Sequence, residues 1–370
     1  MFELDLLTSL FLASVVIQLV YFWGVFSRFV FYKKKKTSSE FQPVSVVITA
    51  KNEYYNLKKN LPLILEQDYP DFEVVVVNDC SEDDTEYLLK KLSETYSHLK
   101  IATIFNNVNF FSGKKFPLSV GIKSAQNEIL LLTDADCAPS SPKWIEQMQS
   151  NFIDNEDIVL GYGAYQSLPG FLNKLIRVDT IFIALQYFSY ALSGIPYMGV
   201  GRNLAYKKSL FYKNKGFTKH YQVKSGDDDL FINTAATRKN ISIEINKESF
   251  TYSKPKITFK DWIYQKKRHF STSQYYKFKH KLLLGLFAFT QFSFYLLFIF
   301  LLIYSKQNII VAISLFILRM GSFLFIFKKC MKQLDEKNLF LISPLFEIIF
   351  IFLNPVIVLS NLILTQKKWK

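Results

Sequence analysis

Residues 129–137, ILLLTDADC, restrict the possible folds of this chain more than any other stretch. Four apolar residues of strand type run into two aspartates one residue apart, and the hydrophobic run stops where the charge begins. That pattern reads as a buried strand ending at a site. Side chains alternate faces along an extended segment, so Asp134 and Asp136 point one way and Ala135 the other. Two carboxylates on one side repel each other unless a cation sits beside them, and a hard divalent ion such as Mg²⁺ or Mn²⁺ prefers such oxygen ligands. A solvated acidic turn has the same short pattern, so the rest of the chain must decide.

Upstream, short β-rich runs alternate with helical stretches. VSVVITA (44–50), FEVVVVND (72–79) and LKIATIF (99–105) read as strands. The segments 54–66, 82–94 and 115–125, and one starting at 142, read as helices. Near-continuous apolar strands separated by helices predict an α/β fold whose mostly parallel sheet is covered on both faces. Such sheets bind ligands at the carboxyl ends of their strands. Polar clusters stand there: Lys51, Asn52 and Glu53 after the first strand, Asn78, Asp79 and Ser81 after the second, Asp134 and Asp136 after the fourth. Taken singly, Asp79 reads equally well as a helix cap. No G-x-G-x-x-G follows any strand. SGKK (112–115) fails as a phosphate loop because Val108 and Lys115 stand where that motif needs Gly and Ser or Thr.

Both ends of the chain are apolar. Residues 6–27 carry no charge and match the ~20 residues that cross a bilayer core. Arg28 and Lys33–Lys36 follow, opposite to the charge order of a cleavable signal, so an uncleaved anchor over 1–32 is expected. A C-terminal membrane region over 282–364 divides into 282–304, 309–327 (apolar apart from Arg319) and 339–364 (apolar apart from Glu347), the last interrupted by Asn354 and Pro355 as a kinked span or a re-entrant pair. Basic stretches flank the middle of the chain, which the positive-inside rule places in the cytoplasm at the inner membrane. Counting spans puts the end of the chain outside, whereas its KKWK argues for inside. The net charge of +14 gathers beside membrane segments, which fits anionic headgroups and not nucleic acid. Cys80, Cys137 and Cys330 lack metal-ligand spacing and are too few for a disulfide framework. Residues 171–206 are rich in apolar side chains, but Lys174, Arg177, Asp179 and Gln186 point to a helix lying at the membrane face or under an acceptor groove.

PVSVVITAKNE, EVVVVNDCSEDDT, GKKFPLSVGIKSAQNEILLLTDADC and SGDDDL, in this order, resemble the family-two inverting glycosyltransferases of GT-A fold over about residues 43–270. The resemblance implies a nucleotide-sugar donor bound around Ala50, Glu53 and Asp79, with Lys114 or Lys115 near the donor. It implies Asp134 at the ribose or metal region and Asp136 on Mg²⁺ or Mn²⁺. Chemistry asks for the same parts: a cation offsets the charge of a departing nucleoside diphosphate, and inversion needs a base for the acceptor hydroxyl. GDDDL (226–230) aligns Asp227 and Asp228 with the family's Glu-Asp pair, which makes Asp228 the base and leaves Asp229 open, since the spacing to Leu230 is one residue short. By itself the triplet also reads as an acidic helix start. QKKRHF (265–270) resembles the Gln-x-x-Arg-Trp motif of membrane-bound members, implying Gln265 and Arg268 at the donor diphosphate or acceptor, with His269 in place of Trp. Arg202 and Asn203, in GVGRNLAY, fall where the family meets its acceptor.

These readings combine into metal-dependent transfer of a sugar to a lipid or lipid-linked acceptor at the membrane. A processive polysaccharide synthase and a catalytically silent membrane scaffold are the alternatives. The short C-terminal membrane region favours single transfer over polymer export, and intact Asp136 and acidic triplet disfavour the scaffold. A nucleotidyltransferase would need a Gly-rich, Arg-bearing loop where this chain has TAKNE.

Overall fold

The computed structural model describes residues 6–34, 38–105, 113–304 and 306–363; Lys35, Lys36 and the terminal KKWK lie outside these. Helix α1 (Leu6–Val20) runs through a π-helical turn (Tyr21–Phe26) into α2 (Ser27–Val30). An alternating layer follows: β1 (Val44–Ala50), α3 (Tyr54–Leu65), β2 (Phe72–Asp79), α4 (Thr85–Thr95), β3 (Leu99–Ile104), α5 (Lys115–Ser124), β4 (Ile129–Asp134), β5 (Cys137–Pro139) and α6 (Trp144–Gln149). The first four strands are parallel in the order β3-β2-β1-β4. Their side chains divide between two cores. Val46 and Ile48 face the layer of α3 and α6, while Val47 joins Val75, Leu130 and Leu132 against α5. This is why β1, β2 and β4 read as near-continuous apolar runs. Helix α5 lies so close to the sheet that a Cβ on Gly121 would fall 2.6 Å from Val47.

The second half adds β6 (Ile158–Leu160), β7 (Gly163–Tyr165), α7 (Phe171–Leu192), β8 (Leu204–Lys207), α8 (Lys208–Lys213), α9 (Asp229–Ala235), β9 (Ile241–Ile243), β10 (Thr251–Ser253) and α10 (Phe259–Ser273). Strand β8 is antiparallel to β4 and β6, which completes the seven-stranded sheet β3-β2-β1-β4-β8-β6-β9. The reversal matters for the site. Because Leu204 pairs with Leu132, residues 201–203 enter beside 133–136. A small sheet, β5-β10-β7, sets Ser253 opposite Cys137 on one side and Tyr165 on the other.

Helices α11 (Phe278–Tyr304), α12 (Ile309–Gln333) and α13 (Ser343–Ile363) complete the chain, and α13 is one helix with Pro355 inside it. Among the described residues, five helical runs are long and apolar enough to cross a membrane: Leu6–Val30, Phe171–Leu192, Phe278–Tyr304, Ile309–Gln333 and Ser343–Asn361. Most of α7 is nonetheless buried in protein, stacking Phe188 on Phe29 and Phe182 on Phe323 between the α/β layer and the terminal helices. The charges that interrupt the C-terminal apolar runs are paired: Arg319 binds Glu347 at 2.5 Å, both fully buried.

Candidate active site

The carboxyl ends of β1, β2 and β4 lie level. Ala50 pairs with Asn78 and Thr49 with Asp134, so the three polar clusters share one edge of the sheet. Their loops interlock: the Asn52 amide donates to Ser81, the Glu53 amide to Thr85, and the Tyr54 amide to Asp83. Lys114 at the start of α5 reaches across to bond the Asp134 carboxylate. Burial works against charge on Asp134, yet the charge and hydrogen bond of Lys114, together with Arg202 and Arg268, outweigh it and hold that carboxyl below its ordinary range. Asp136 is in the opposite condition. Burial and the charge of Asp134 push its pKa up, and Arg202 only partly compensates. Oxygens of these two aspartates and Cys137 Sγ lie within 4.8 Å of one another. The Cys137 thiol is buried and pushed well above its ordinary pKa, so it stays protonated and the usable donors are hard carboxylate oxygens. Such a donor set fits Mg²⁺ or Mn²⁺ better than a soft ion.

Across the cleft, the acidic triplet divides three ways. Asp227 is buried and lies 3.6 Å from Lys114 Nζ, which therefore spans from the strand-end pair to the triplet. Asp229 points away, accepting hydrogen bonds from Thr272 and, at 2.7 Å, from Tyr276. Asp228 keeps part of its surface open while accepting the amides of Gly201 and Asp229, each at 2.7 Å. Burial first, then the charges of Asp227 and Asp229, raise its pKa to about 7, against the pull of the two amides. A carboxylate poised there takes a proton near neutral pH.

Arg202 ties the strand-end pair to α10. Its guanidinium lies over the Tyr165 ring, 4.2 Å from the centroid, and donates to Ser253 Oγ at 3.1 Å. Ser253 Oγ in turn meets Cys137 Sγ, and the Tyr165 hydroxyl accepts from Gln265 at 3.0 Å. A continuous polar chain thus runs from beside Asp136 to Gln265.

Residues 45–215 match the sequence profile described as Glycosyl transferase family 2. The chain carries a family 2 glycosyltransferase domain. The probable glycosyltransferase YdaM of Bacillus subtilis is 25% identical over 306 residues, 77% of this chain and 69% of that protein. Glycosyltransferase AglE of Haloferax volcanii is 31% identical over 106 residues, and this chain spans only 33% of it. A poly-β-1,6-N-acetyl-D-glucosamine synthase of Staphylococcus epidermidis is 28% identical, with 44% of this chain and 47% of the synthase aligned. Among solved structures, a mannosyltransferase from Pyrobaculum calidifontis, in complex with GDP-Man and Mn²⁺, superposes with a TM-score of 0.58. It covers 92% of this chain and 97% of its own at 18% identity, and so shares the GT-A fold.

Within the glycosyltransferase domain, Ala50 is buried at the strand end, and Asp79 is raised by burial against the nearby charge of Lys51. Lys115 donates to the carbonyls of His220 and Val223, whereas Lys114 is the one that meets Asp134 and Asp227. Asn203 departs from the expectation of an acceptor contact. It is fully buried, donates to the Tyr162 and Ser249 carbonyls and accepts from Trp144, so no polar group of its side chain is left for a ligand. The pairing of β8 draws it inward and leaves its neighbour Arg202 at the site. Sequence reading missed Tyr165, Ser253, Thr272 and Tyr276. None belongs to a local motif, and they arrive only through the small sheet and the end of α10.

Proposed function

We propose that this chain is a membrane-anchored, inverting glycosyltransferase that moves a sugar from a UDP- or GDP-sugar to a lipid or lipid-linked acceptor. Residues 1–32 and 282–364 hold it in the cell membrane, and the domain over 43–270 works on the cytoplasmic side. One observation carries the reading: a partly exposed carboxylate, Asp228, with its pKa raised to about 7, lies across a lysine bridge from a pair of strand-end aspartates. Base and charge-holding groups on opposite sides of a cleft are what inverting displacement requires.

In this reading Asp228 accepts the acceptor hydroxyl's proton, and Lys114, Arg202 and Arg268 hold the donor's phosphates. Ala50, Glu53 and Asp79 receive the nucleoside, while Gln265 orients the sugar. Asp136, with Asp134, would hold Mg²⁺ or Mn²⁺, which supplies positive charge to the leaving diphosphate. The incompletely compensated carboxyl of Asp136 supports that assignment.

The test is incubation of the purified full chain in membranes with labelled UDP- and GDP-sugars and either metal, followed by lipid extraction. Label in a discrete lipid product supports the proposal. High-mass polymer would instead favour the processive reading that the aligned synthase suggests, and no turnover by folded protein would sink both.

A further inference from the structure

Helix α13 is long and apolar enough to span a bilayer, yet its contacts do not let it. Near its start, Phe346 packs against Phe171 of α7, with ring centroids 5.1 Å apart. One turn on, Lys266 of α10 lies 5.0 Å from the Phe350 ring. Near its far end, Asn361 donates to the Lys267 carbonyl at 2.7 Å. Helix α10 is itself fastened to the catalytic cleft through Gln265–Tyr165 and Thr272–Asp229. Fifteen residues of helix cover about 22 Å, so α13 keeps to the catalytic side along most of its length. Among the described residues, the buried core of the far half of the terminal bundle draws on α1, α11 and α12. It comprises Phe11 and Val15 of α1, Phe294 and Leu301 of α11, and Ala312 of α12, with Phe298 stacked on Phe316 at 4.2 Å.

The two faces of α13 differ in partner. Phe346, Phe350 and Ile357 are buried in the protein. Leu345, Ile348, Phe352, Val356 and Leu359, at spacings of three and four, form one exposed apolar stripe along the other face. Its only charge, Glu347, turns inward to Arg319, Gln291 and Tyr295. A continuous apolar stripe bordering a membrane bundle has lipid as its fitting partner.

We infer that α13 lies along the leaflet facing the catalytic domain, its outer stripe in lipid. The chain therefore crosses the bilayer three times, through α1–α2, α11 and α12, and α13 ends on the catalytic side. This rests on the membrane-embedded part of the proposed function and not on the transfer reaction. It also removes the conflict between a four-span count and the basic KKWK.

The test uses the full chain with Cys80→Ser, since Cys137 and Cys330 are buried. Single cysteines are placed by Lys91→Cys on the α/β layer, Gln307→Cys between α11 and α12, and Lys370→Cys. An impermeant maleimide is applied to sealed vesicles of one orientation. We expect Lys91→Cys and Lys370→Cys to share a side and Gln307→Cys to react from the other. If Lys370→Cys reacts with Gln307→Cys, α13 crosses and the inference falls. If Gln307→Cys shares the side of Lys91→Cys, the membrane-crossing reading itself fails. Separately, Phe352→Trp fluorescence should be quenched more strongly by lipids brominated near the headgroup than by lipids brominated deep in the chain. Strongest quenching at the bilayer centre, or none from either lipid, would overturn it.

Discussion

The Asp228 carboxylate accepts the Gly201 backbone N–H at 2.7 Å, and this bond decides which of three consecutive acids remains available for chemistry. Asp227 is turned to Lys114, and Asp229 to Thr272 and Tyr276. Only Asp228 combines an open edge with a fixed position. The Asp228→Asn variant keeps one of the two amide-accepting oxygens, so it should fold with a modest loss of stability and still bind donor while transfer falls by about 10²–10⁴-fold. Donor titration calorimetry beside turnover checks this; near-normal turnover would move the base elsewhere.

The pH dependence has a definite sign. As the proposed base Asp228 must be ionised to act, and its pKa is raised to about 7, so the rate should rise with pH up to about 7 and flatten above. Stability follows the opposite course. A carboxyl raised in the folded state contributes stability below its ordinary value of 3.8, and that contribution is lost as pH climbs to about 7. A pH–rate profile and melting temperatures of wild type and Asp228→Asn over the same range test both signs, since the variant should lose the slope in each.

At Asp136, burial and the charge of Asp134 oppose ionisation. Asp136→Asn should therefore raise the melting temperature of metal-free protein. It should also abolish the further rise that Mn²⁺ with donor gives wild type. A metal-free melting temperature below wild type would show that the charge is already compensated within the protein.

Tyr276→Phe removes one of the two hydroxyl donors to the buried Asp229 carboxylate. The expected cost is about 1–2 kcal/mol of stability, because the buried carboxyl loses one hydrogen bond while Thr272 still donates to it. Denaturant unfolding of the detergent-solubilised chain measures it. Donor affinity should change little, since Asp229 faces away from the cleft.

The Tyr165 hydroxyl is the acceptor that holds Gln265 near Arg202. Tyr165→Phe keeps the stacked ring but frees the amide, so KM for donor or acceptor should rise several-fold with the fold intact. An unchanged KM for both substrates would remove Gln265 from the site.

The sequence alone determined the parallel half of the sheet, because β1, β2 and β4 are buried on both faces and must be nearly apolar, and the helices between have a different period. It also located Asp134, Asp136 and the acidic triplet, since charge directly after a buried strand, or before a short helix, is visible locally. Tertiary structure decided the rest. Whether Asn203 or Arg202 meets the cleft depends on the antiparallel pairing of β8 with β4, and no residue near 203 encodes that partner. The separate tasks of Asp227, Asp228 and Asp229 depend on Lys114, Gly201 and Tyr276, which come from three distant segments. For α13, length and hydropathy describe a helix that can cross a membrane, and only its contacts with α7 and α10 show which way it lies. Local pattern fixes what a segment can form; long-range pairing chooses what it meets.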